Sequence, residues 1–126
     1  MTFVKLWGPV LLVMGLIYSQ SAKSDPAAPP GGMSDKSAHF LAYAVLGATV
    51  VRALAGGRPS AMTAGRIALA AFVATLYGAS DEFHQMFVPN RTPELLDLAA
   101  DAAGSVAGAA GLAVVARVID RARRAT

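Results

Sequence analysis

The stretch RIALAAFVATLYGASDEFHQ (residues 66–85) begins as an apolar segment and ends in the charged run Asp81-Glu82-Phe83-His84-Gln85. Arg91, Asp97 and Asp101 follow, and a second long apolar stretch comes next. At the centre of a bilayer an aspartate, arginine or lysine costs about 2.5 to 3.5 kcal/mol even on the mildest scale, so such residues usually face a bundle interior or a wet cavity. What these groups do therefore depends on whether the flanking segments cross a membrane.

The composition is typical of a small membrane protein. Of the 126 residues, 55% are hydrophobic and 15% charged, and the mean hydropathy is +0.49, which is too apolar for an ordinary soluble domain. The lack of cysteine excludes disulfides, a thiolate nucleophile and cysteine-based metal sites. The net charge of +3 does not indicate nucleic-acid binding, because no basic stripe is interleaved with aromatic residues.

Four apolar segments predict four membrane-spanning helices. Each is close to the ~17 to 25 residues that a helix needs to cross the hydrocarbon core, and unpaired strand edges do not survive in lipid. Proline and glycine breakers separate the segments, in residues 25–32, 56–59 and 89–93. The predicted fold is an all-α integral membrane four-helix bundle that forms one domain over residues 1–126. Its spans are predicted at residues 3–20, 38–55, 66–83 and 96–118.

The distribution of lysine and arginine predicts the topology. If the amino terminus is cytoplasmic, eight basic residues lie on the inner side and three on the outer side. Since short cytoplasmic loops carry the basic excess, both termini are predicted to be cytoplasmic. The first segment also fits a cleaved secretory signal peptide, which would leave the later spans in the same orientation. The inner set is Lys5, Arg52, Arg58, Arg66, Arg117, Arg121, Arg123 and Arg124, and the outer set is Lys23, Lys36 and Arg91.

This topology brings the polar ends of three spans to the outer face. At ~1.5 Å per residue, Asp81 lies about 22 Å from Arg66 and His39 about 20 Å from Arg52, which is less than the ~30 Å hydrocarbon core. Both side chains are therefore expected below the outer boundary. If the polar faces of these helices meet, they enclose a small, wet and mostly acidic pocket. Helical spacing defines three such faces: Asp35, His39 and Tyr43; Asp81, His84 and Gln85; and Asp97 with Asp101.

Small residues in the fourth span predict how the bundle packs beneath this pocket. Gly104, Gly108 and Gly111 follow one another at short intervals, with alanines between them. Small residues allow two helix backbones to approach closely. We therefore expect another helix to pack against this surface.

Three ordered blocks of residues resemble the VanZ family of small bacterial membrane proteins, named for a teicoplanin-resistance protein. The resemblance covers Asp35 to Gly108 and implies a multi-pass helical protein of the bacterial cytoplasmic membrane, linked to glycopeptide resistance or the cell envelope. Asn90 stands where the family often has glycine, and Asp101 where asparagine is common. The blocks are Asp35-Lys36-x-x-His39-Phe40-x-x-Tyr43, then Tyr77-Gly78-x-x-Asp81-Glu82-x-x-Gln85-x-Phe87-Val88-Pro89-x-Arg91, then Asp97-x-x-x-Asp101-x-x-Gly104-x-x-x-Gly108.

The candidate pocket residues also allow purely structural interpretations. Asp35 could cap the second span while Lys36 anchors at the headgroups. His39 could be a ligand, a proton acceptor or a partner of Asp97. The acidic run of the third span could form an ion-pair cluster with Arg91 that holds the bundle together. The full candidate set is Asp35, Lys36, His39, Tyr43, Asp81, Glu82, Gln85, Arg91, Asp97 and Asp101.

Three functions are open, of which binding or shielding of a cell-envelope precursor or a glycopeptide is favoured. The second is an intramembrane acid-base enzyme on a lipid-linked phosphate substrate, with His39 as base and Arg91 on the phosphate. The third is a small proton-coupled carrier that uses Asp97 and Asp101. The expected partners are the lipid bilayer and that ligand, with no cofactor. No metal is expected either, because no local signature fixes a geometry for His39, His84, Asp81, Glu82, Asp97 and Asp101.

Overall fold

The computed structural model describes residues 1–24 and 28–126, and in these residues every regular element is helical. The four long helices are α1 (Phe3–Ser21), α2 (Asp35–Leu54), α3 (Ala64–Gln85) and α4 (Leu95–Ala125). Short 3-10 turns at Pro30–Gly32 and Pro59–Ala61 interrupt the first two connections. The prediction of an all-α, four-helix chain is confirmed, while the predicted breaker at Asp25-Pro26 lies outside the described residues.

The helix starts are set by side chains that accept hydrogen bonds from free backbone N–H groups. Thr2, Ser34 and Thr63 cap α1, α2 and α3 in this way, as serine and threonine commonly do. Ser34, and not Asp35, is therefore the cap of α2. Asp35 lies in the first turn, where its charge still favours the positive end of the helix.

Three of the described helices, α1, α2 and α4, are long and apolar enough to cross a membrane. The predicted third span is a helix too, and its 22 residues are sufficient in length. It is not among the three because it begins near Arg66 and ends in the charged run that includes Asp81 and Glu82. α4 ends at Ala125, well beyond the predicted limit at residue 118.

The closest helix contact joins α2 to α4. A Cβ added at Gly104 would overlap the backbone of Phe40, and one added at Gly108 would overlap the backbone of Ala44. The sequence predicted the packing role of these two glycines and missed Gly47, which lies against the backbone of Ser105 in the same contact. Gly111 does not belong to it, because a Cβ there would meet nothing within 4 Å.

The buried core lies mainly between α2, α3 and α4, and α1 packs against its outside. Leu46, Val50, Ala74 and Ala109 are among the most buried apolar residues of this core. In α1 only Val10 and Ser21 are buried. Most of α1 therefore presents apolar side chains outward.

The two ends of the bundle differ in charge. At one end arginine side chains donate to backbone carbonyls of other segments: Arg52 to Lys5 at 3.0 Å, and Arg117 to Met62. At the other end lie the charged end of α3 and the acidic start of α4. This second end holds the candidate site.

Candidate functional site

A cavity of about 570 Å³ opens at the acidic end, between α1, the start of α2, the end of α3 and the segment before α4. Its apolar lining includes Leu16 and Ile17 of α1 with Ala38 and Ala42 of α2. Most of the other lining residues are polar or charged. Seven of the ten predicted residues line this cavity, namely Asp35, His39, Tyr43, Asp81, Gln85, Arg91 and Asp97.

The remaining three, Lys36, Glu82 and Asp101, are not in that lining. Lys36 lies in a shallow groove on the other side of α2. Asp101 is completely buried and Glu82 is 9% exposed. The helical spacing that placed Asp101 beside Asp97 on one face is correct, but one turn of helix sinks Asp101 into the protein.

His39 is held by Asp101. Its Nδ1 lies 2.8 Å from Asp101 Oδ1, whereas its Nε2 lies 4.0 Å from Asp97 Oδ2. The expected partner Asp97 is therefore the more distant of the two carboxylates. The ring of Tyr43 lies nearly parallel to the imidazole, with centroids 6.5 Å apart.

Lys36 joins α2 to the start of α4. Its Nζ lies 2.5 Å from Glu94 Oε2 and 2.9 Å from Asp97 Oδ1. Glu94 was not among the predicted residues, because nothing in its local sequence distinguishes it from an exposed loop residue. Lys36 thus positions the segment that forms the rim of the cavity, a role that headgroup anchoring alone does not describe.

Ser21 connects α1 to the acidic run of α3. The buried Ser21 hydroxyl donates to Asp81 Oδ2 at 2.6 Å, and the Gln85 side-chain amide donates to Ser21 Oγ at 3.2 Å. One turn earlier in α3 and two turns earlier in α1, the Tyr77 hydroxyl donates to the backbone carbonyl of Met14 at 2.6 Å. Ser21 was not among the predicted site residues, so this link was missed.

Arg91 does not hold the acidic run. It forms no ion pair among the described residues, and Glu82 instead accepts the backbone N–H of Glu94 at 3.1 Å. The predicted ion-pair cluster of Arg91 with Asp81 and Glu82 is therefore wrong. Arg91 follows Asn90, whose φ of 63° is left-handed, a conformation that glycine and asparagine adopt most readily. This turn directs Arg91 to the cavity.

Several buried polar atoms at this end have no hydrogen-bond partner among the described residues. They include the Tyr43 hydroxyl, Asp81 Oδ1, Glu82 Oε1 and Asp101 Oδ2. Native proteins leave few such atoms without a partner, so this end of the bundle offers several polar atoms to water or to a solute. His84 stacks on Tyr18 at 4.7 Å and does not line the cavity, although its buried Nδ1 also has no hydrogen-bond partner among the described residues.

Three side chains beneath the cavity come close enough to share a ligand. His39, Glu82 and Asp101 each offer one nitrogen or oxygen, and these atoms lie within 4.8 Å of one another. The three residues belong to α2, α3 and α4. No spacing within a single helix could have indicated this group.

Comparison with known proteins identifies one family. The family model described as VanZ/LLP1 matches residues 6–117, which is most of the chain, and so confirms the resemblance predicted from the sequence blocks. No curated protein and no solved structure matches the chain.

Proposed function

Since the chain belongs to the VanZ/LLP1 family, we propose that it is an integral protein of the bacterial cytoplasmic membrane that binds a cell-envelope component or a glycopeptide at its outer face. The observation that carries this proposal is the mixed lining of the cavity, which combines apolar side chains such as Leu16 and Ile17 with charged ones such as Asp81 and Arg91. The cavity volume of about 570 Å³ lies within the range of ~300 to 1,000 Å³ usual for small-molecule sites. An amphipathic ligand suits such a lining.

The surface of the bundle supports the placement in a membrane. Large apolar side chains are exposed along the helices, among them Leu12, Phe72 and Val114. Soluble monomers rarely expose large contiguous apolar patches, whereas lipid satisfies them. In this placement both termini are cytoplasmic, because the end of the bundle that carries Arg52 and Arg117 has the excess of basic residues, and such an excess lies on the cytoplasmic side. The cavity then faces outward.

A topology experiment tests this placement, and the lack of native cysteine makes it direct. Single cysteines at Ser24 and Ser60, both exposed, would be labelled in whole cells with a membrane-impermeant maleimide. We expect Ser24→Cys to be labelled in intact cells and Ser60→Cys only after permeabilisation. The opposite pattern would reverse the topology and place the cavity in the cytoplasm.

A binding experiment tests the ligand. Ala38 lines the cavity, so Ala38→Phe places a ring inside it, while Ala99→Phe adds the same ring on an exposed face of α4. Protein in nanodiscs would be titrated with teicoplanin and, separately, with a lipid-linked peptidoglycan precursor. We expect saturable binding of one of them, weakened about tenfold or more, which is ~1.4 kcal/mol, by Ala38→Phe alone. No saturable binding of either, or equal loss in both variants, would contradict the proposal.

One observation favours the enzyme as a second candidate. The buried Asp101 carboxylate orients His39 at the cavity wall, as a carboxylate orients a general base, and Arg91 lines the same cavity without an ion pair among the described residues. A lipid-linked phosphate incubated with the protein would then be consumed. His39→Gln should abolish turnover in that case, whereas a binding protein would yield no product with either form.

A further inference from the structure

The donors offered by His39, Glu82 and Asp101 are one imidazole and two carboxylates. Their ligand atoms lie within 4.8 Å of one another, and each residue belongs to a different helix. Glu82 is 9% exposed and Asp101 is completely buried. His39 lies at the wall of the cavity, which gives a solute access to the group.

Each carboxylate uses one oxygen and leaves the other without a partner. Asp101 Oδ1 lies 2.8 Å from His39 Nδ1, and Asp101 Oδ2 has no hydrogen-bond partner among the described residues. Glu82 Oε2 accepts the Glu94 N–H at 3.1 Å, and Glu82 Oε1 is likewise unpartnered there. A buried carboxylate oxygen left in this state is unfavourable, so both oxygens are available to a ligand that accepts electron pairs.

Neither Lys36 nor Arg91 balances the two carboxylates. The ammonium group of Lys36 is taken by Glu94 and Asp97. In the part of the chain that the structure describes, Arg91 pairs with neither Glu82 nor Asp101. Buried charges are normally paired or coordinate a metal. A metal requires deprotonated ligands, so in the metal-bound state the two carboxylates and the neutral imidazole carry two negative charges, which one divalent cation neutralises.

We propose that His39, Glu82 and Asp101 bind one divalent transition-metal ion, of the class of Zn²⁺ or Mn²⁺. Imidazole selects such metals over Mg²⁺ and Ca²⁺, which prefer all-oxygen sites. At bond lengths of ~2.0 to 2.2 Å, tetrahedral donors lie about 3.5 Å apart, so the ion draws the three side chains together by a small movement. Three protein ligands leave a fourth position open, and the location of His39 directs it toward the cavity.

This inference goes beyond the proposed function, because the three residues would bind the metal ion independently of which organic ligand occupies the cavity. Metal binding is measured without that ligand. A failure of the metal experiment would leave the ligand proposal standing, and the reverse also holds.

The experiment uses the full chain, purified in detergent, stripped with a chelator and dialysed against Zn²⁺ or Mn²⁺ alone. Bound metal is counted by mass spectrometry and the affinity is measured by calorimetry. We expect one ion per chain, with an affinity reduced about tenfold or more in Glu82→Gln, Asp101→Asn and His39→Gln. Two matched controls, His84→Gln and Asp120→Asn, should retain wild-type affinity, because His84 stacks on Tyr18 and Asp120 pairs with Arg124 at the far end of α4.

Three outcomes would overturn the metal site: no saturable binding of either ion to the wild type, unchanged affinity in all three ligand variants, or equal losses in the controls. Wild-type protein loaded with Co²⁺ provides a readout that does not depend on the folding of any variant. We expect visible absorption that differs from that of aqueous Co²⁺ and disappears when Zn²⁺ is added. An aqueous-type spectrum would also overturn the proposal.

Discussion

The contact between α2 and α4 and the contact between α1 and α3 are built on opposite principles. In the first, backbone lies against backbone at Gly47, Gly104 and Gly108. In the second, polar side chains reach across, from Ser21 to Asp81 and from Tyr77 to Met14. Close packing leaves no room for added side-chain volume, whereas the contact of α1 with α3 depends on hydrogen bonds, each of which costs free energy when one partner is removed. Apolar side chains of α1, among them Met14 and Ile17, also pack against the core.

The largest effect is expected where backbones touch. Gly108→Val forces two methyl groups into the backbone of Ala44, and neither helix can yield by rotating a side chain. We expect a loss of about 3 kcal/mol or more in the free energy of unfolding, measured by thermal unfolding in detergent with size-exclusion chromatography. Gly111→Val is the matched control, since its site is open. Equal stability of the two variants would refute the close-packed contact.

The second effect concerns the link through Ser21. Ser21→Ala removes the donor to Asp81 and the acceptor for Gln85, so both buried groups lose a partner. We expect a cost of ~1 to 3 kcal/mol and faster amide hydrogen exchange in α1 than in α4. Ser19→Ala is the control, because the exposed Ser19 hydroxyl bonds only to Leu16 of its own helix. Exchange that rises equally in both helices would mean that the Ser21 link does not hold α1 in particular.

The third effect is smaller and of the same kind. Tyr77→Phe removes only the hydroxyl that donates to the Met14 carbonyl, which leaves that carbonyl with its helical hydrogen bond. We expect a loss of about 1 kcal/mol in unfolding experiments. Tyr18→Phe, at a side chain that is 51% exposed, should change stability less. A larger loss from Tyr18→Phe would contradict this assignment of the α1 contact.

The smallest effect is expected at the rim. Lys36→Gln removes the ion pair with the exposed Glu94 and the one with the mostly buried Asp97. Because the Lys36 side chain is itself 41% exposed, solvent and salt screen both pairs. We expect the variant to have a slightly lower Tm than the wild type at low salt and the same Tm at high salt. A decrease independent of salt would mean that Lys36 acts through packing.

Much of the helical architecture could be predicted from the sequence. The apolar runs and the breakers between them placed all four helices, and α1 was predicted within one residue of its observed end at Ser21. The charged residues at both ends of α3 can also be read from the sequence, but the prediction underestimated how far they lower the hydropathy of this helix. Gly104 and Gly108 were identified by their size alone, but whether a glycine faces a neighbour or open space, as Gly111 does, depends on the rotation of the helix.

The sequence predicted which residues form the candidate site, but it did not predict which of them contact one another. Helical spacing placed His39, Asp81 and Asp97 near one end, and the structure has them around one cavity. It did not indicate that Arg91 stays apart from Glu82, or that a serine of α1 completes the network. Those contacts join residues that are far apart in the chain, as Ser21 and Asp81 are, and no local pattern encodes them.

The sequence by itself determined the helices, their apolar surfaces and the family, because length, hydropathy and motif spacing are properties of short stretches of chain. Only the tertiary structure decided which polar groups meet. His39 bonds to the buried Asp101 and lies close to Glu82 because three helices adopt particular rotations and depths relative to one another. Those rotations follow from packing of whole surfaces, above all the glycine contact of α2 with α4, which a linear pattern does not contain.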